Sequence, residues 1–309
     1  MLASDSTPDR FAGGRGGAPS RGGASGRATP GGPAGAGASG AGGPAGGGAA
    51  REAFADLPGV RIRYVDTGGD GPAVVLMHSA TGHCGVWEHQ LPAFTRAGLR
   101  VVAHDRRGWG RSVVDPSGPQ PGTAADDLRA LADHLGLERF HLVGTAAGGI
   151  ASLDFALSFP ERLRSLVIAN SIGGVQDEDY VALGRRMRPP QFDALPPELR
   201  ELGPAYRAGD PDGTRRWIEL ERLSRPNGPM SPPQAMRNRI TFARLEHLAV
   251  PTLLLTGGAD LYTPSPVLAL FAARIAGAES VLIPDVGHSA YWEAPDVFNR
   301  SVLAFLALR

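Results

Sequence analysis

The run Phe140-His141-Leu142-Val143-Gly144-Thr145-Ala146-Ala147-Gly148-Gly149 has the glycine spacing of a G-x-S-x-G turn, in which a serine on a sharp strand-to-helix bend attacks a carbonyl carbon. Small flanking residues let such a bend press against neighbouring backbone. The serine position holds Ala146. A methyl group cannot attack, so no ester intermediate forms there, and any chemistry at this turn starts with a different step.

A turn of this kind needs a strand before it and a helix after it. From Val60 onward the chain alternates short β-rich runs with helical stretches, the pattern of a mostly parallel sheet covered by helices on both faces. Val60 to Val65 alternates apolar and polar residues and predicts an antiparallel, half-solvated edge strand. Runs 73–77, 100–103, 140–143, 166–169, 252–255 and 280–283 are short and mainly apolar, and predict buried central strands. Helices are expected near 87–97, 123–135, 147–158, 264–275 and 295–307. In the second of these Leu128, Leu131 and Leu135 share one face, while Asp126, Asp127 and Arg129 point outward. Residues 171–248 break the alternation with Arg, Pro and Glu. With helical patches at 179–188 and 214–223, they predict a helical lid inserted into a core formed by 53–170 and 249–309.

Composition narrows the function classes. The 309 residues are 42% hydrophobic with 31 basic and 31 acidic side chains, which fits one larger globular domain and argues against nucleic acid or an anionic membrane as the main partner. Residues 1–52 hold 17 of the 43 glycines with almost nothing large enough to bury, so they predict a disordered Gly/Ala/Pro-rich tail. That tail has no continuous apolar stretch of the signal-peptide type, and no run approaches the roughly 20 apolar residues that span a bilayer. The single cysteine, Cys84, fits a reducing cytoplasm. The expected partner is a small-molecule substrate, with a homodimer as an allowed assembly.

Four motifs in order carry a resemblance to the α/β-hydrolase family over about residues 55–309. Met77-His78-Ser79-Ala80, followed by Trp87, resembles the loop after the third strand. His104-Asp105-Arg106-Arg107-Gly108-Trp109-Gly110-Arg111-Ser112 resembles the family's D-x-R-G-x-G-x-S turn. Thr256-Gly257-Gly258-Ala259-Asp260, followed by Pro264, resembles the loop of the triad acid, and Pro284-Asp285-Val286-Gly287-His288 that of the triad histidine. The order of turn, then Asp, then His is the order this fold uses. Ser79, the spacing from His78 to Trp87, and Leu166 to Ser171 leading into the lid resemble the lidded enol-lactonase and C–C-hydrolase branch.

The resemblance implies roles. Asp260 would fix the tautomer of His288 and stabilise its imidazolium, so that the pair is a general base with or without a serine. The backbone N–H groups of Ala80 and Ala147 would form the oxyanion hole around the vacant position at Ala146, each worth about 3–4 kcal/mol in acyl chemistry. Ser79, Trp87, His83 and Thr145 are expected to line or support the substrate pocket, and Asp105, Arg106 and Arg107 to hold the turn after the fourth strand. Thr145 and Cys84 are the alternative nucleophiles. No cofactor is expected, and no metal, because His78, His83 and His89 do not share a helical face.

Losing the serine costs an ordinary serine hydrolase about 10⁶-fold in turnover. The favoured reading is therefore chemistry that needs a base and an oxyanion hole but no covalent step: C–C or lactone hydrolysis, decarboxylation or cofactor-free oxygenation of an enolisable carbonyl compound. The alternatives are a non-catalytic small-ligand binder and an esterase silenced by an introduced Ser-to-Ala change. Among the lid arginines Arg185, Arg186, Arg188, Arg215 and Arg216, one that points inward would signal a carboxylate on the ligand.

Overall fold

In a computed structural model of the chain, residues 50–118, 122–188, 190–225 and 234–309 are described. The expected tail lies outside them except for its last three residues. Arg51 and Glu52 already belong to the sheet, because the first strand, β1 (Arg51–Leu57), pairs antiparallel with β2 (Val60–Asp66).

The remaining strands are β3 (Ala73–Met77), β4 (Arg100–His104), β5 (Val113–Val114), β6 (Phe140–Thr145), β7 (Leu163–Ala169), β8 (Thr252–Gly257) and β9 (Glu279–Ile283). They form one sheet in the order β1-β2-β4-β3-β6-β7-β8-β9, with β5 paired to β2. Pairings are parallel from β4 through β9 and antiparallel at the β1, β2 and β5 end. Two expectations shift. Val60–Asp66 is antiparallel but not an edge, since β1 covers it. Glu279–Ile283 is the edge at the other end, with Glu279, Ser280 and Leu282 exposed, so it is not a buried central strand.

Successive residues of β3 illustrate how the sheet is covered on both faces. Val75 and Met77 pack into one apolar cluster with Leu128, Leu153 and Phe271, whereas Val74 and Leu76 pack into another with Trp87, Phe94 and Phe298. The period of two in a strand and helices on each side account for its all-apolar sequence. The helices Ala124–His134, Ala147–Ser158, Ser265–Arg274 and Pro295–Leu306 fall where the periodicity predicts them, while 87–97 divides into a short 3₁₀ turn, Cys84–Trp87, and the helix Gln90–Arg96. Between β7 and β8 lie the helices Glu178–Met187, Pro197–Glu201, Pro204–Gly209, Pro211–Leu223 and Phe242–Leu245. Among the described residues no helix is long and apolar enough to cross a membrane.

Candidate active site

Parallel strands end on one edge of the sheet, and the loops after β3, β6, β7, β8 and β9 meet there. Among the described residues, three non-glycine residues have positive φ: Ala146 at 50°, Asn170 at 47° and Asp285 at 59°. They sit in the turn after β6, the turn after β7 and the loop after β9. Such backbone costs about 1–3 kcal/mol per residue and survives only where surroundings impose it.

At the bend after β6 the imposition is visible. The Ala146 amide donates to Ala169 O at 3.0 Å, and Ser171 Oγ donates to Ala146 O at 2.7 Å. A Cβ on Gly148 would collide with Met77 O, so the helix Ala147–Ser158 can start only against a glycine at that position. Ala146 therefore keeps the strained geometry of a nucleophile turn without a nucleophile. Its methyl lines a cavity of about 190 Å³ together with Ser79, Ala80, Ala147, Ile150, Asn170, Ile172, Arg188, Glu201, Tyr262 and His288.

Asp260 and His288 are 3% and 5% exposed, and His288 Nδ1 lies 2.9 and 2.8 Å from the two oxygens of Asp260. Asp260 Oδ1 also accepts from the amides of Tyr262 and Thr263, and Oδ2 from Asn170 Nδ2 and Thr256 Oγ. Burial opposes charge on Asp260, but His288 and these donors outweigh it and hold the carboxyl down at about 2. Burial likewise opposes charge on His288, and the Asp260 carboxylate overcomes it, so the imidazole sits above its ordinary value. With Nδ1 committed to Asp260, Nε2 is the nitrogen left for the cavity. The ring of Tyr262 lies 4.2 Å from that of His288, centroid to centroid.

Ala80 and Ala147, expected from sequence as oxyanion donors, both line the cavity, and their amides make no hydrogen bond among the described residues. Ser79 takes no left-handed backbone, so its side chain is accommodated without strain; its hydroxyl pairs with that of Thr81 at 2.9 Å. His78 holds this loop from behind. Its Nε2 accepts from the Arg106 amide at 2.9 Å, which leaves Nδ1 to donate to Ser79 O at 2.6 Å. Burial keeps this imidazole neutral by pushing it well below its ordinary value. Asp105, Arg106 and Arg107 brace the turn after β4, with Arg107 bridging Asp127 and the carbonyls of Pro58 and Gly59.

Four expected site residues lie elsewhere. Trp87 is fully buried and packs on Tyr291 at 5.0 Å. Thr145 is also fully buried, pointing off the bend rather than into the cavity, and its hydroxyl finds no partner. His83 accepts from the Gly85 amide and caps the 3₁₀ turn. Cys84 faces away from the cavity; burial drives its thiol far above the ordinary range, and Arg63 Nη1 donates to Sγ at 2.6 Å. The ligand atoms of His83, Cys84 and Asp105 do converge within 4.8 Å. Arg63 already supplies positive charge there, 3.5 Å from Asp105, and competes with any cation.

Sequence reading missed Glu201, Asn170, Ile150 and Ile172 as lining residues and singled out Arg188 only as one of five lid arginines. Arg188 does point inward. Its guanidinium lies over the rings of Tyr262 and Phe192, at 5.2 and 5.8 Å, and it lines both this cavity and a neighbouring apolar one of about 220 Å³. Tyr262, two residues beyond Asp260, had a positional cue; Glu201 had none.

Comparison with known proteins agrees with this architecture. The profile of the Alpha/beta hydrolase family matches residues 74–301. A 2-hydroxy-6-oxononadienedioate/2-hydroxy-6-oxononatrienedioate hydrolase from Klebsiella pneumoniae subsp. pneumoniae is 29% identical over 271 residues, 80% of this chain and 91% of that protein. A thermophilic esterase from Thermogutta terrifontis, solved with malate bound, superposes with a TM-score of 0.70 at 25% identity, covering 84% of this chain and 98% of that one. The enol-lactonase from Burkholderia xenovorans LB400 shares the fold, with a TM-score of 0.64 at 22% identity over 82% of this chain and all of that one.

Proposed function

The chain belongs to the alpha/beta hydrolase family, and we propose that it hydrolyses a small enolisable carbonyl or lactone substrate by general-base activation of water at His288, without a covalent step. One observation carries the reading: Ala146, His288, Ala80 and Ala147 line the same cavity. The atom missing relative to a serine leaves space beside the base, where water can be accepted in place of a hydroxyl group.

In this scheme His288 Nε2 takes a proton from water as the water oxygen bonds to the substrate carbonyl carbon. The C=O π pair moves onto oxygen, which the Ala80 and Ala147 N–H groups stabilise. Collapse of that intermediate breaks the bond to the leaving group, an enolate carbon in C–C cleavage or an alkoxide in lactone opening. The leaving group then takes the proton from the imidazolium, and one water is consumed. The name of the Klebsiella relative, a hydrolase of a dioate, favours the C–C variant.

Arg188 supports a carboxylate on the substrate. It lines both the cavity that holds His288 and the neighbouring one, and no described carboxylate lies within ion-pair distance of it. Arg188→Met is expected to raise KM about tenfold for a carboxylate-bearing substrate and to leave a neutral analogue unaffected, the loss of one charge-assisted contact.

The deciding experiment screens purified protein against p-nitrophenyl esters, enol-lactones and vinylogous diketones beside Ala146→Ser. Turnover of the carbonyl substrates that changes less than tenfold in Ala146→Ser supports the water mechanism. A gain of several orders of magnitude confined to esters identifies instead an esterase scaffold lacking its nucleophile.

A further inference from the structure

The loop bearing His288 rests directly on the inserted helices. The His288 amide donates to the Glu201 carbonyl at 2.7 Å, and a Cβ on Gly287 would meet Gly203 N, Leu202 C and Glu201 O. Glu293 clamps the same junction, accepting from the amides of Gly203, Gly287 and Ser289. This contact brings a second carboxyl to the base. Glu201, 6% exposed, lines the same cavity as His288 and Tyr262. Tyr262 ties the three ionisable groups together: its amide donates to Asp260, its ring covers His288, and it shares the cavity wall with Glu201.

Resting on the general-base reading above, we propose that Glu201 is a second carboxylate partner of His288, carried by the inserted helices, which stabilises the imidazolium formed when the base takes up its proton. Asp260 orients the ring through Nδ1 and is itself held by four other donors, Tyr262 N, Thr263 N, Asn170 Nδ2 and Thr256 Oγ; Glu201 acts on the charge from across the cavity wall. It is a positioning residue, acting through His288. The charged and titratable groups around it are consistent with that role. Facing His288 are the acidic Asp260, Glu201 and Glu293, and the cation Arg188 lines the same cavity. Facing Glu201 are His288, Asp260, Arg200, Tyr262 and Tyr291. Burial pushes Glu201 above the ordinary carboxylate range while the charge of His288 pulls it back, the reciprocal of the rise that Glu201 contributes to His288. An insertion displaced from the core would therefore leave His288 less willing to carry charge, so the base would match the reaction only when the site is covered.

The test is the titration of the His288 imidazole, followed by NMR in ring-labelled protein without substrate, the resonance being assigned by its loss in His288→Gln. In Glu201→Gln the midpoint is expected to fall by about one pH unit, the low end for losing a nearby opposite charge. The acid limb of kcat/KM should move with it. Glu198→Gln, which removes a carboxylate from the same short helix without touching His288, is expected to leave the midpoint in place. A folded Glu201→Gln protein with the wild-type midpoint overturns the proposal, and so does an equal fall in Glu198→Gln. Should Glu201→Gln not fold, Glu201→Asp decides: a midpoint between those of the wild type and pH 6.5 supports the role, and one equal to the wild type's removes it. Because the titration needs no turnover, an inactive protein would count against the hydrolytic reading and leave this result standing.

Discussion

Among the described residues, His288 and His83 each lie close to a buried carboxylate, and they behave in opposite ways. At His288 the carboxylate of Asp260 bonds Nδ1 directly, the imidazole is raised, and the other nitrogen is left for a cavity. At His83 the nearby carboxylate, Asp105, is occupied by the amides of Cys84 and Arg111, burial lowers the imidazole, and Arg63 takes the role of the cation. His83 Nε2 is buried with no partner. The same residue types therefore yield a poised base in one case and a braced loop in the other. What separates them is which group satisfies the carboxylate first, and whether a free nitrogen meets open space.

Substitutions can break this contrast. The largest effect is expected for His288→Ala, a loss of about 10³-fold in kcat/KM for any substrate turned over, against less than twofold for His83→Ala; steady-state kinetics on both variants checks it. Equal losses would show that the contrast is not catalytic. Activity of the wild type should rise with pH through a midpoint above 6.5, since the free base is the working form and Asp260 raises it.

Asp260→Asn comes next, with about 10²-fold or more lost in kcat, because the amide no longer holds the productive tautomer. Its stability signature has a defined sign. A carboxyl lowered from 3.8 to about 2 stabilises the fold above pH 4, and that contribution is lost as pH falls through about 2. The difference is worth on the order of 2 kcal/mol, so acid unfolding of the wild type should be steeper between pH 4 and 2 than that of Asp260→Asn, as followed by circular dichroism.

The smallest effect belongs to the braced loop. Cys84→Ala is expected to change kcat/KM less than twofold while costing about 1 kcal/mol of stability, from one buried sulfur and the Arg63 contact. A kinetic effect beyond tenfold would return Cys84 to the list of reacting groups.

Much of this could be read before any fold was known. Strand and helix positions follow from local periodicity, and the bend at Ala146 and the loops of Asp260 and His288 are contiguous turns whose spacing reports their shape. The pocket lining was less legible. Thr145 lies beside the motif bend, but the end of β6 turns its side chain into the core, and Trp87, in the 3₁₀ turn Cys84–Trp87, packs there against Tyr291. Residues 280–283 looked like a central strand because apolar content alone does not tell a strand with two neighbours from one with a single neighbour.

The sequence alone determined that residue 146 cannot act as a nucleophile, that the chain alternates strands and helices, and that an acid and a histidine follow the bend in the family's order. Each is a matter of side-chain chemistry or of spacing along one stretch of chain. Only the tertiary structure decided that Arg188, of the five arginines at 185, 186, 188, 215 and 216, lines the cavity that holds His288, and that Glu201 lines it as well. Those choices depend on segments far apart in the chain packing together, which has no period or spacing to betray it.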